Sequence, residues 1–267
     1  MAVLRIHGLD SLNAAPLQWQ LSDGARADGT RLEVTLGPPA AAAAALADGR
    51  ADVALLPSIE LQRIPDLRVV PGICVAARRR VSSVLLLARR PLQDLEEVAV
   101  DCTSRTSVAL LRILLGRCFS AAPRFVEASP DAGRMLGAHD AALLIADAAL
   151  RADEPGAQVH DLAELWSNWT GLPFVFAAWA VGPGVDLELV THLLDRSRAE
   201  GLQNIPRLVA RHATRDGFPG GPALTAYLSE MLHYTLGPEE ESSLNRFFSE
   251  ANTAGLIPTP RLLFQSE

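Results

Sequence analysis

Residues 97–118 read EVAVDCTSRTSVALLRILLGRC, and the succession of short apolar strand, polar loop and apolar helix in this stretch decides the fold. The Val98, Ala99 and Val100 run is bounded by Asp101, as expected of a buried strand. From Ser107 onward, Val108, Leu111, Leu115 and Cys118 share one face at helical spacing. Between strand and helix, DCTSRTS (101–107) sets four hydroxyls, those of Thr103, Ser104, Thr106 and Ser107, within five positions. A strand, loop and helix in this order form the repeating unit of a parallel α/β sheet, and ligands in such sheets sit beyond the carboxyl ends of the strands. The first N–H groups of the helix have no intrahelical acceptor and lie at the positive end of its dipole, which suits a carboxylate or phosphate. The competing reading is an N-cap accompanied by spare serines.

The same rhythm extends outward in both directions. VLRIHGL (3–9) reads as a strand, Asp10-Ser11 as a turn, and NAAPLQWQL (13–21) as a helix with Pro16 in its first turn. RLEVTLG (31–37) is a strand, residues 40–49 are an alanine-rich helix stopped at Gly49, and ADVALLP (51–57) is a strand buried on both faces. Residues 67–90 predict two or three strands that turn near Arg78–Arg80 and cross between lobes. A second α/β unit follows. It comprises the 97–118 segment, a strand at 124–128, a short helix near 130–137 and the strand DAALLIAD (140–147). Residues 159–171 predict a helix, PFVFAAWAV (173–181) a strand, and from Asp186 onward the pattern is nearly all helical, LTAYLSEMLHYTL (224–236) included. The expectation is an α/β protein of two lobes facing a cleft, with lobe 1 built from 1–88 plus 178–267 and lobe 2 from 89–177.

Composition narrows the chemistry. The chain of 267 residues is 49% hydrophobic but only 5% aromatic, so its core is aliphatic. All 24 basic residues are Arg, and the absence of Lys removes Schiff-base chemistry and the lysine-dependent phosphate loops. A formal charge of −7 opposes nucleic-acid or anionic-membrane partners. No apolar run approaches the ~18 residues of a membrane span. Cys74, Cys102 and Cys118 are too widely spaced for a disulfide framework, and the amino terminus reaches Arg5 and His7 before a secretory apolar stretch develops, so a cytoplasmic protein is expected. The six His show no metal-ligand spacing, and no G-x-S-x-G elbow occurs. The GFPGG glycines (217–221) and the three consecutive Arg at 78–80 read as loops.

Five strand-end segments are richer in polar side chains than their surroundings: residues 10–13, Pro57-Ser58, Ser82-Ser83, 101–107 and Asp147. Asn13 offers amide donors to a ligand or else caps the turn before Pro16. Ser83 faces either inward to a partner or outward to solvent, and Asp147 either recognises a substrate hydroxyl or caps the following helix. Trp166, Trp169, Phe174, Phe176 and Trp179 either wall a pocket or, as preferred, fill the core between lobes.

Taken together, DSLNAAPL, DVALLPSIEL, VSSVLLLARRPL, TSRTSVALLRILL, ALLIADAALRA and DLAELWSNWTGLPFVFAAW resemble, in order and spacing, the MqnA-type chorismate dehydratase family of the futalosine route to menaquinone. The resemblance covers roughly residues 4 to 180 and is most specific at TSRTSV and TGLPFVFA-W. It implies a fold like that of type II periplasmic binding proteins, used as an enzyme that converts chorismate to 3-[(1-carboxyvinyl)oxy]benzoate and water without a metal or organic cofactor. It implies Asn13 at the reacting ring, Ser83, Thr103, Ser104, Thr106 and Ser107 as substrate binders, and Asp147 facing the cleft; Ser58 is expected to join the binders from its strand-end position, and the proton is expected to pass to a substrate carboxylate, with Asp147 as the alternative acceptor. Two positions depart from the family pattern: Ser11, where an aromatic is frequent, and Ala146, where a Gly is common. The rival readings are 1,4-dihydroxy-6-naphthoate synthase of the same route and a receptor domain without chemistry. The sequence carries no signature of oligomeric state.

Overall fold

The computed structural model describes the chain except for residues 1, 2, 23, 28, 102, 103, 215, 216, 262 and 265–267. The strands are β1 (Val3–Leu9), β2 (Arg26–Ala27), β3 (Thr30–Gly37), β4 (Val53–Pro57), β5 (Arg68–Ala77), β6 (Val84–Ala88), β7 (Glu97–Val100), β8 (Arg124–Glu127), β9 (Ala141–Ile145), β10 (Gln158–Asp161), β11 (Phe174–Val181) and β12 (Leu232–His233). The α-helices are α1 (Pro39–Ala47), α2 (Glu60–Arg63), α3 (Arg105–Phe119), α4 (Ala132–Ala138), α5 (Ala146–Leu150), α6 (Leu162–Thr170), α7 (Leu187–Gln203), α8 (Ile205–His212), α9 (Gly221–Ala226) and α10 (Pro238–Thr253).

The strands form two mixed sheets, in the orders β12-β5-β11-β4-β1-β3-β2 and β10-β6-β9-β7-β8. Each has a parallel centre, β3-β1-β4 in the first and β9-β7-β8 in the second. The apolar runs place these strands inside: β4 and β6 are buried along their whole length. Antiparallel β11 and β5 complete the first sheet and antiparallel β6 and β10 the second. The chain crosses between sheets in residues 78–83 and returns in residues 162–173. Consequently β6 belongs to the second sheet and all of β11 to the first, whereas the sequence reading drew the lobe boundaries at 88/89 and 177/178. Strand propensity alone does not reveal which sheet a strand joins.

Three further differences have local causes. Residues 12–18 form a 3-10 helix with Pro16 inside it rather than an α-helix. The predicted helix at 159–171 begins as β10, and Asp161 then caps α6 by accepting from the amides of Ala163 and Glu164. The predicted helix at 224–236 breaks: α9 runs into one π-helical turn, Tyr227–Met231, after which Leu232 and His233 pair with β5.

The 3-10 turn is held from both sides. The Gln18 side chain brackets Leu9, accepting from its amide at 2.6 Å and donating to its carbonyl at 2.8 Å. A side chain at Gly8 would place its Cβ 1.9 Å from that Gln18 oxygen, so it would push the Gln18 side chain out of this bracket. On the other side, α7 lies against the turn. Ser197 Oγ reaches the carbonyls of Leu17 and Trp19, and a Cβ on Gly201 would fall 1.9 Å from the Pro16 carbonyl. Replacing Gly201 by Ala is therefore expected to destabilise the protein by about 2 kcal/mol or more through overpacking against main chain. Urea unfolding of G201A measures the loss, and an unchanged midpoint contradicts this account of the contact.

Candidate active site

The parallel centres of the two sheets point their carboxyl ends at one another, so the segments that follow β1, β4, β7 and β9 meet in the gap between the sheets. A cavity of about 560 Å³, part of it open to solvent, lies there. Ser11, Asn13, Ser83, Ser104, Thr106 and Ser107 supply its polar wall, Phe176 and Ile145 part of its apolar wall, and Arg105 its one charged side chain.

Three contacts tie the segments together across the gap. Leu12 N–H donates to Asp147 Oδ1 at 3.2 Å, Ile59 N–H donates to Thr106 Oγ1 at 3.1 Å, and Arg105 Nη1 lies 3.2 Å from Glu60 Oε2. Glu60 is buried and also pairs with Arg63, so one carboxylate serves both guanidinium groups.

Three polar side chains of the wall, Asn13, Ser83 and Thr106, have an oxygen already engaged by a protein donor. Ser11 Oγ donates to Asn13 Oδ1 at 2.6 Å, which leaves the two N–H bonds of the Asn13 amide for the cavity. Tyr227 donates its phenolic proton to Ser83 Oγ at 2.8 Å, and Thr106 Oγ1 receives the Ile59 amide. Ser104 is 2% exposed and its hydroxyl has no hydrogen-bond partner among the described residues. It makes no side-chain cap either, so at Ser104 the capping alternative is not realised. The first amides of α3 stand without intrahelical acceptors beside it. A cavity that presents O–H and N–H protons at the positive end of a 15-residue helix is built to receive acceptor-rich anions.

The remaining expected residues fall as follows. Thr103 lies outside the described residues. Ser58 is fully buried and donates to the Val175 carbonyl at 2.7 Å, so it fastens β11 rather than reaching the cavity wall. Asp147 sits in the first turn of α5 with Oδ1 on the Leu12 amide, behind the wall formed by Ile145 and Ala146. Of the aromatic residues, Trp166, Phe174 and Phe247 pack edge to face with centroids 5.2 to 6.3 Å apart and form core. Phe176 alone reaches the cavity, backed by Phe174 at 5.0 Å. Tyr227 escaped sequence reasoning because its pattern is that of an ordinary apolar helix face. Among the described residues, no three His, Cys, Asp or Glu side chains cluster as metal ligands would.

Asp161 organises the crossing into the cavity. Its Oδ2 accepts from the amides of Val81 and Ser82 at 2.9 and 2.7 Å, which holds Ser82 at φ 59° and delivers Ser83 to the wall. Burial pushes the Asp161 carboxyl above its ordinary value, and the four main-chain donors act against that shift. Ala146, whose amide donates to the Ser83 carbonyl at 2.7 Å, is also left-handed at φ 49°. That conformation explains why glycine suits position 146.

A fold of two sheets with facing carboxyl ends and an anion-receptive gap defines a two-lobed, periplasmic-binding-protein-like architecture. The periplasmic aliphatic sulphonate binding protein of Escherichia coli shares it, with a TM-score of 0.66 at 19% identity over 97% of this chain and 95% of that one. A crystal structure from Archaeoglobus fulgidus superposes with a TM-score of 0.77 at 16% identity, covering 96% of this chain and 98% of that one. The profile of the menaquinone biosynthesis family matches residues 4–253, and the chain belongs to that family. A curated relative, the chorismate dehydratase of Thermus thermophilus, is 34% identical over 254 residues, covering 88% of this chain and 90% of the relative.

Two outcomes follow from this geometry. Ser104→Ala removes a buried hydroxyl that has no partner among the described residues, so the ligand-free protein is expected to be as stable as the wild type or up to about 1 kcal/mol more stable. A loss of more than 1 kcal/mol in chemical denaturation contradicts the assignment. Ala146→Gly relieves a left-handed alanine and is expected to add about 1 kcal/mol, seen as a melting point higher by about 2 °C. A lower melting point means that the strain is absent.

Proposed function

We propose that this protein is a chorismate dehydratase: a hydro-lyase that removes water from chorismate to give 3-[(1-carboxyvinyl)oxy]benzoate. The single observation that carries the reading is the polar wall of the interlobe cavity, where Ser11, Asn13, Ser83, Ser104, Thr106 and Ser107 gather beside the start of α3. Chorismate carries two carboxylates and an ether, all acceptors. The 34% identical relative of the same family bears this activity in its name and supports the choice of substrate.

In this reading, the hydroxyls of Ser83, Ser104 and Ser107 and the first amides of α3 bind one carboxylate. Thr106 contributes from the same turn, and Thr103 is assigned there by its place in the motif. Arg105, paired with Glu60, places a positive charge close to these donors, and a nearby charge acts on a ligand more strongly than the distant net charge of the protein. Asn13 directs its amide N–H groups at the reacting ring. Ser58 and Asp147 act at one remove: Ser58 holds β11, and Asp147 holds the Leu12 amide one residue before Asn13.

The chemistry is a loss of H and OH from adjacent ring carbons. The C–H bond at the ether-bearing carbon breaks and its proton passes to the substrate's own enolpyruvyl carboxylate. The electron pair forms the new ring double bond, and the neighbouring C–O bond breaks with departure of the hydroxyl, which takes up a proton to leave as water. The product ring is aromatic, so the protein's work is orientation, exclusion of water and stabilisation of charge as it develops. Asn13, held by Ser11, supplies that stabilisation. The free thiols of Cys74 and Cys118 and the absence, among the described helices, of one long and apolar enough to cross a membrane support a cytoplasmic location.

Incubation of the purified protein with chorismate is expected to produce an aromatic ultraviolet spectrum, and Asn13→Ala is expected to lower kcat by roughly 100-fold or more while chorismate still binds. Tight binding of chorismate by the wild type without conversion favours a receptor, and inertness towards chorismate favours 1,4-dihydroxy-6-naphthoate synthase. Unchanged turnover in N13A removes Asn13 from the mechanism.

A further inference from the structure

Tyr227 lies outside the cavity wall and is 2% exposed, yet its hydroxyl is placed 2.8 Å from the oxygen of a residue that does line the cavity, Ser83. The tyrosine opens the single π-helical turn among the described residues, Tyr227–Met231, where α9 would otherwise continue. Such one-turn insertions shift the side chains that follow out of helical register, and they recur at functional sites. Ser83 Oγ is the one hydrogen-bond partner that the Tyr227 hydroxyl has among the described residues.

The direction of this hydrogen bond follows from the burial. If Ser83 donated to Tyr227, the phenolic proton would be left buried without an acceptor, which is the costly arrangement. With Tyr227 as donor, one of the two lone pairs of Ser83 Oγ is occupied and the Ser83 proton is free to turn toward the gap. Burial, the largest cause, and the negative charges of Asp147 and Asp161 hold the Tyr227 phenol above its ordinary pKa, so it remains a donor over the whole working range of pH. Ser83 is at the same time fixed through its main chain: its carbonyl accepts from Ala146, and the preceding Ser82 amide is held by Asp161. The hydroxyl therefore has little freedom except in where it sends its proton.

We propose that Tyr227 is a positioning residue that biases Ser83 to donate its proton to a substrate carboxylate, and so contributes to the cavity's preference for a deprotonated acid. The inference rests on the dehydratase reading for the identity of that acid. It does not rest on it for the hydroxyl relay, which any carboxylate ligand would experience. In a chain of two hydroxyls ending on a carboxylate, each hydrogen bond polarises the next, so the second is stronger with the first in place.

The experiment is a double-mutant cycle. Tyr227→Phe keeps the buried ring and removes only the hydroxyl, and Ser83→Ala removes the group through which Tyr227 acts. Y227F is expected to raise the KM for chorismate roughly three- to tenfold with kcat changed less than twofold. In the S83A background the same substitution is expected to leave KM unchanged within a factor of two. Equal effects in both backgrounds would show that the tyrosine acts through packing, and an unaltered KM in the Y227F single variant would show that it does not act on the ligand; either result overturns the proposal. The same cycle is read calorimetrically on isophthalate, a plain aromatic dicarboxylate. Wild-type protein that binds isophthalate with the expected coupling but leaves chorismate untouched retains the relay and refutes the dehydratase reading. Wild-type protein that binds neither ligand refutes both.

Discussion

Four main-chain N–H groups converge on the Asp161 carboxylate, and much of the site depends on that convergence. Two come from Val81 and Ser82 at the crossing between sheets, and two from Ala163 and Glu164 at the start of α6. One buried side chain thus joins the strand that brings Ser83 to the cavity with the helix that carries Trp166 into the aromatic core. A carboxylate taken out of water survives only when its oxygens are satisfied, and here both are. The left-handed Ser82 is the conformational cost of the turn so formed.

From that anchor the site extends by the same logic of satisfied acceptors. Asn13, Ser83 and Thr106 each have an oxygen engaged by a protein donor, so each turns protons toward the gap. A chain with no Lys and a charge of −7 can therefore hold an anion. The field that matters is local, produced by the amides at the start of α3, the adjacent hydroxyls and Arg105. The bulk charge sets solubility and encounter, not the grip of a desolvated site. The ties between Leu12 and Asp147 and between Ile59 and Thr106 place the same residues that shape the cavity in contact across it.

Much of the architecture was legible in the sequence because strand, loop and helix each carry their own period. The run 98–119 shows apolar strand, hydroxyl loop and amphipathic helix, and the structure places α3 at Arg105–Phe119, two residues earlier than the hydroxyl pattern suggested. Ser104, Thr106 and Ser107, which follow the strand in sequence, are among the residues that line the cavity. What the pattern could not carry depends on contacts distant in sequence. Ser58 has the same strand-end position as Asn13, but a carbonyl 117 residues away takes its proton. Tyr227 reads as one more apolar helix residue, because the π turn that directs it to Ser83 has no compositional signal. The sheet membership of β6 and β11 is settled by pairing partners far along the chain, and local propensity holds no information about those.

The account comes down to where the carboxylates of a bound substrate lie. A crystal structure of the Asn13→Ala protein with chorismate tests this directly, since the substrate is then held without being consumed. The account predicts carboxylate oxygens about 2.7–3.1 Å from the Ser83 and Ser104 hydroxyls and from the first amides of α3, with the ring against Phe176. A ring turned so that its carboxylates face solvent, or chorismate bound outside the gap between the sheets, would contradict it.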